Sequence, residues 1–318
     1  MYNNLSKYKS ELTWLLKAVV LICSLLVITL KMKGNSLLTG EHISNWQVIF
    51  AKNQWAFTMI LLMTIGNWAL EIVKWEVLVS AVQKIGFSEA LKQSLASLTA
   101  SLLTPNRIGE YGVKALYYKG AERKKIMALN LLGNSSQMII TVLFGLIGIL
   151  YLAEYFLELQ WVLTALILFS LLILAFYPYF KSTFFFPFFK KIISFYGEIG
   201  IRRHLKIFFL STLRYLVFSH QFYFLLTIFG LELDYFLTMP LIFSMYFLSS
   251  IIPGFVAFDF LIKGSVALTL FSFFGVNESI VLTVTTFMWL LNFALPSIFG
   301  SYFVFRFSLP KPVKIPVN

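Results

Sequence analysis

Arg107 and Glu110 stand three residues apart in the stretch TPNRIGEYGVKALYY (104–118), just past Pro105-Asn106 and flanking Gly109. Pro105 and Gly109 mark a break, after which an apolar helix carrying Lys114 resumes. A helix that begins at such a break points unpaired N–H groups and its positive end at whatever precedes it. A guanidinium beside that end adds paired donors, so the combination suits a phosphate or other anion. A second stretch, SSIIPGFVAFDFLIKGS (249–265), has the same make-up: Pro253-Gly254, then Asp259 and Lys263. Glu110 and Asp259 either cap the first turns of their own half-helices or act on a ligand, by balancing charge or meeting an amine.

Other polar groups lie inside apolar runs. Asn67, Glu71, Lys74 and Leu78 follow helical spacing, so Glu71 and Lys74 can pair on one face. Ser94, Ser97, Ser101 and Thr104 recur at helical intervals, which fits either a hydroxyl face leading to the first break or close packing by small residues. Arg214 either snorkels to the membrane surface or offers a second anion contact in a groove. Asn292 precedes Pro296 by four residues, so its carbonyl is the one the proline leaves without a donor, and a kink is expected there.

Several chemistries are excluded. There is no G-x-x-x-x-G-K-[ST] phosphate loop and no G-x-S-x-G elbow, and three histidines without H-E-x-x-H spacing make no zincin site. The residues named above include no catalytic set, and no metal or cofactor is expected. The net charge of +12 marks orientation rather than a nucleic-acid partner, once the charges are placed along the chain.

Hydrophobic residues make up 59% of the 318 and charged residues 13%, about half the charge of a soluble domain, with mean hydropathy +0.81. The expected fold class is all-α: a polytopic membrane helical bundle forming a single transmembrane domain over 1–318. Full spans are predicted at 12–30, 55–80, 126–153, 161–180, 207–230 and 281–305, each long enough to cross ~30 Å of hydrocarbon. The first is read as a retained span rather than a cleaved signal. Between them lie two broken segments, 88–118 and 236–275.

The loops sort by charge. Segments 1–11, 81–92, 113–125, 181–206 and 306–318 hold 18 Lys/Arg, whereas 31–54, 154–160, 231–235 and 276–280 hold 3. The positive-inside rule places the first set and both termini in the cytoplasm. Each broken segment then begins and ends on one side, as a re-entrant hairpin or as a pair of short spans. The order of elements in 12–153 recurs in 161–305 with opposite orientation, the plan of an inverted repeat whose broken helices meet near the midplane. The Phe-rich stretch 181–200 reads as an interfacial segment and 306–318 as a cytoplasmic tail. Trp14 and Trp75 are expected at the inner interface, Trp46, Trp55 and Trp161 at the outer one.

The two breaks and the second span carry a resemblance. TPNRIGEYGVKALYY is similar to the P-G-R-x-G-E-x-x-R/K segment of the lysylphosphatidylglycerol synthase transmembrane-region (flippase-like) family. Pro105, Arg107, Gly109 and Glu110 match, Lys114 fills the basic position, and Asn106 stands where a glycine is usual. NWALEIVKWEVLVS resembles the family's aromatic-rich segment with a basic-Trp pair, here Lys74-Trp75. IPGFVAFDFLIKGSVAL resembles its second Pro-Gly segment, with Asp259 where Glu is usual.

The resemblance implies a bacterial cytoplasmic-membrane protein that translocates lipid, with synthesis assigned to a separate domain that is not expected in this chain. The first expectation is therefore a flippase-like transporter of a phospholipid or lipid-linked headgroup, not an enzyme. Arg107, Glu110, Lys114, Asp259, Lys263 and Arg214 are its candidate substrate contacts, and its partner is a membrane lipid with an anionic headgroup or phosphate. An intramembrane enzyme on a polyprenyl-phosphate-type lipid and a non-catalytic assembly partner are the alternatives. The oligomeric state stays open.

Overall fold

A computed structural model describes residues 48–49, 51–102, 104, 107–155, 164, 185–252 and 259–307. The expected spans at 12–30 and 161–180, Trp14, Trp46, Trp161, the tail from 308, and Pro105, Asn106, Pro253 and Gly254 at the breaks lie outside those residues. The described chain contains no strand. Its helices are α1 (Gln54–Val79), α2 (Phe87–Ser101), α3 (Ile108–Leu116), α4 (Glu122–Leu152), α5 (Phe185–Glu198), α6 (Ile201–Ile228), α7 (Tyr235–Ile251), α8 (Asp259–Ser272), α9 (Glu278–Trp289) and α10 (Leu295–Arg306).

Among the described residues, three stretches are long and apolar enough to cross a membrane: α1, α4 and the combined 278–306. The stretch expected at 207–230 lies in α6, which is as long but interrupted by Arg214, His220 and Gln221. The last stretch is not one α-helix. A π turn, Leu290–Ala294, joins α9 to α10 just before Pro296. A π turn rather than a simple proline kink places Asn292 inside the bundle. The carbonyl that Pro296 cannot serve is taken by the indole N–H of Trp68, at 3.2 Å.

Two apolar cores sit at opposite ends of the long helices. One gathers Ile72, Trp75, Leu78, Ile126, Leu129 and Ile207. The other gathers Ile60, Ile149, Leu152, Phe222, Leu225 and the inward face of α7. Along α1 the order is therefore apolar Ile60, polar Thr64, Asn67 and Glu71, then apolar Ile72 and Trp75. Along α6 it is Ile207, Arg214 and Gln221, Phe222. The polar groups form a layer between the cores. Arg214 has about 14 residues of helix on either side, some 20 Å at 1.5 Å per residue, so it does not snorkel to a helix end.

Close backbone approach fixes two helix crossings. α10 crosses α2 at Gly300, where an added Cβ would overlap the Leu95 carbonyl and the Thr99 hydroxyl. α7 crosses α4 at Gly145 and Gly148, which face Phe247 and the Pro240 carbonyl. Apolar burial gives little drive for association in lipid, so small residues and polar bridges carry these contacts. On α2 the small-residue role also explains the hydroxyl stripe. Ser97, Ser101 and Thr104 turn back to their own helix carbonyls at 2.9, 2.7 and 3.2 Å instead of presenting a polar face.

Candidate functional site

The first break is built by a left-handed residue. Arg107 adopts φ 59°, the only positive φ at a non-glycine among the described residues, and α3 starts immediately after it. This conformation costs about 1–2 kcal/mol for a side chain with a Cβ, so the surroundings must hold it. Thr104 helps: its hydroxyl accepts the Gly109 N–H at 2.8 Å. Gly109 is required there, because a Cβ would come within 2.9 Å of the Ala100 carbonyl.

From this position Arg107 Nη2 lies 3.2 Å from Glu110, whose other oxygen lies 2.7 Å from Lys114 Nζ. Lys114 is fully enclosed. Its ammonium also donates to Asn130 Oδ1 at 2.8 Å and sits 4.1 Å above the Trp75 ring. Trp75 is 0% exposed and donates its N–H to Gln93, so it is no interfacial anchor. The buried ammonium needs a partner at its uncovered face, and the indole supplies one. Trp55, at 88% exposure, does lie on the surface.

A second assembly of the same kind joins α1 to α6. Glu71 holds Lys74 at 2.7 Å and Arg214 at 2.9 Å. Arg214 Nε donates to Asn67 Oδ1 at 3.0 Å, and Asn67 donates to Asn292 Oδ1 at 2.7 Å. Asn292 donates to Gln221 at 2.9 Å, and Gln221 to Thr64 at 2.7 Å. Asn67, Arg214, Asn292, Gln221 and Thr64 thus bond one another across α1, α6 and the π turn. Each such neutral bond contributes about 0.6 kcal/mol, whereas breaking one side of a buried ion pair costs about 3–5. The two carboxylates are what holds the layer.

Both arginines face a cavity of about 230 Å³. Its charged lining is Arg107, Arg214, Asp259 and Lys263; Asn67, Gln137 and Asn292 add amides, and Phe218, Tyr246 and Trp289 supply apolar wall. Arg107 and Arg214 remain 29% and 13% accessible, while Glu71, Lys74, Glu110 and Lys114 stand behind them, nearly sealed. Arg107 Nε, a buried atom, has no hydrogen-bond partner among the described residues.

The expected site residues sort as follows. Arg107, Asp259, Lys263 and Arg214 line one cavity, so the starts of α3 and α8 share it. Asp259 does not pair with Arg107; it pairs with Lys263 at 2.6 Å. Glu110 and Lys114 brace Arg107 from behind. Glu110 spends its carboxylate on two cations, so it is an ion-pair centre rather than a simple first-turn cap. Glu71, Asn67, Gln137 and Asn292 were not counted among the substrate contacts. For Gln137 the sequence carries a signal. Asn130, Asn134, Gln137 and Thr141 recur at spacings of four, three and four on α4, and the first two bond Lys114 and Tyr111.

Long apolar helices whose middle sections close around ionised side chains define a multi-pass helical membrane protein with a charged interior cavity. The family model for the lysylphosphatidylglycerol synthase TM region matches residues 14–300, and the chain belongs to that family. No curated protein and no solved structure matches it.

Proposed function

We propose that this chain carries the headgroup of a membrane lipid, or a lipid-linked headgroup, across the bacterial cytoplasmic membrane while the acyl chains stay in the bilayer. A charged headgroup needs a polar path through hydrocarbon, and protein charges at depth are retained where they serve such a path. The observation that carries the proposal is the pair of arginines lining one cavity, Arg107 at the start of α3 and Arg214 from mid-helix. Each is held from behind by a carboxylate that also holds a buried lysine.

An alternating-access mechanism gives the remaining architecture its sense. In this reading the chain has six full spans, two re-entrant hairpins, both termini in the cytoplasm, and half-repeats at 12–153 and 161–305. Two features support the repeat. α2 packs on α10 as α7 packs on α4. Glu110–Lys114 and Asp259–Lys263 are both i,i+4 pairs on the helices that follow the two breaks. Such repeats rock about a fixed central site. The role is read as transport rather than catalysis because the cavity's ionisable lining, among the described residues, is two arginines, one lysine, one aspartate and Tyr246, without histidine or cysteine.

Reconstitution into liposomes with labelled lipids, scored for leaflet exchange, tests the proposal. Exchange is expected with the unaltered protein and lost in Arg107→Ala and Arg214→Ala. Equal exchange by all three would refute it.

A further inference from the structure

The cavity's charge identifies the class of headgroup more narrowly. Among the described residues its lining carries three cations, Arg107, Arg214 and Lys263, against one carboxylate, Asp259. Adding the sealed layer behind it brings in two lysines, Lys74 and Lys114, and two carboxylates, Glu71 and Glu110. Either count leaves an excess of two positive charges. In a low-dielectric interior such an excess is costly unless an occupant neutralises it.

We infer that the cavity takes a phosphomonoester, a phosphate with one ester link and two negative charges. This rests on the translocation reading for its physiological setting, but not for its chemistry. A dianion cancels the excess. A phosphodiester leaves one positive charge, a zwitterion leaves two, and an aminoacylated cationic headgroup raises the total to three. The donor set agrees. A phosphomonoester presents three terminal oxygens, and the lining presents three cations, two of them guanidinium forks that bind phosphate through paired donors. Arg107 keeps one N–H, at Nε, without a partner among the described residues. Size agrees as well. About 230 Å³ lies below the roughly 300–1,000 Å³ of sites for drug-sized ligands, so there is room for a phosphate and a few further atoms.

Lys263 is the discriminating contact. Its ammonium, 25% accessible, is shared with Asp259 and lies 5.4 Å from the Phe293 ring and 5.5 Å from that of Tyr246. It is the third cation, needed by a third terminal oxygen and superfluous to a diester that has only two.

Calorimetry on the detergent-purified full chain tests this with three soluble probes: glycerol 3-phosphate, the diester glycerophosphoglycerol, and the cationic lysine methyl ester. At about pH 8, above a phosphomonoester's second ionisation, glycerol 3-phosphate should bind at least about tenfold tighter than the diester, the scale of one charge-assisted hydrogen bond. Lysine methyl ester should not bind. Lys263→Gln should weaken glycerol 3-phosphate far more than the diester and so remove most of that preference, an outcome that loss of folding, which abolishes both, could not mimic. Equal affinity for monoester and diester, or tighter binding of the cationic probe, would overturn the inference. Vesicle assays separate the sources of the phosphate. Exchange of phosphatidic acid assigns it to a lipid. Binding of glycerol 3-phosphate without any lipid exchange keeps the charge assignment and refutes translocation. Exchange of lysylphosphatidylglycerol without monoester binding does the reverse.

Discussion

Glu71 on α1 and Arg214 on α6 approach to 2.9 Å in the layer between the two apolar cores, and the same carboxylate oxygen lies 2.7 Å from Lys74. One acid thus serves two cations, and Glu110 does the same for Arg107 and Lys114. Removing an arginine from either group leaves a neutral Glu–Lys pair. Removing the glutamate leaves two like charges with nothing between them.

That asymmetry predicts opposite phenotypes within each triad. Glu71→Ala and Glu110→Ala should each cost about 3–5 kcal/mol and sharply reduce the yield of monodisperse protein, since two buried cations lose their counter-charge. Arg214→Ala should leave yield and Tm close to those of the unaltered chain and abolish lipid exchange. Size-exclusion profiles and thermal unfolding in detergent decide it. If Arg214→Ala were the variant that aggregated, the arginine would be a brace and the cavity assignment would fall.

Glycines separate close approach from mere flexibility. At Gly300 an added methyl meets the Leu95 backbone carbonyl, which cannot rotate away. Gly300→Ala should destabilise by about 1–3 kcal/mol through overpacking and separate α10 from α2. Gly66, in the middle of α1, has nothing near its would-be Cβ. Gly66→Ala should therefore be neutral or stabilise by about 0.5–1 kcal/mol. Parallel melting curves would show the contrast.

Charge-sorted loops predict the orientation. With Cys23 replaced, a single cysteine at Lys124 should react with a membrane-permeant thiol reagent and resist an impermeant one applied outside, and so should one at Lys311. Cysteines at Asn45 and Glu158 should react with both. Labelling of the Lys124 site by the impermeant reagent in intact cells would invert the topology.

Much of this arrangement is legible in the chain itself because membrane residence restricts what polar residues can do. The breaks at 105–109 and 253–254, the charges that follow them and the long apolar helices are visible without coordinates, and Glu71 and Lys74 announce their pairing by helical spacing. What spacing cannot show is which helix supplies the third member. Arg214 lies 140 residues beyond Lys74 in the chain, and only the packing of α6 on α1 brings it to Glu71. Trp75 illustrates the same limit. A tryptophan near the end of a span reads as an interfacial anchor, yet here the adjacent α3 turns Lys114 over its ring and seals both. The π turn escapes notice for another reason. Pro296 marks the freed carbonyl, but whether the helix kinks or inserts an extra residue depends on Trp68, more than two hundred residues away.

The residue on which the site depends most is Arg107, and two properties of it can be tested separately. Its backbone sits at φ 59°, which favours glycine, and its side chain lines the cavity. Arg107→Gly relaxes the backbone and deletes the guanidinium; Arg107→Ala deletes the guanidinium alone. Both should fold, because Glu110 keeps Lys114 at 2.7 Å, and the glycine variant should be more stable than the alanine variant by about 1 kcal/mol. Both should lose lipid exchange to the same degree. Arg107→Lys should recover only part of it, since an ammonium cannot form the two parallel bonds that a guanidinium makes to phosphate. The ordering glycine above alanine in Tm, with both inactive and lysine partly active, distinguishes a strained residue kept for its side chain from one kept as scaffold. Normal exchange by well-folded Arg107→Ala protein would place the working centre elsewhere.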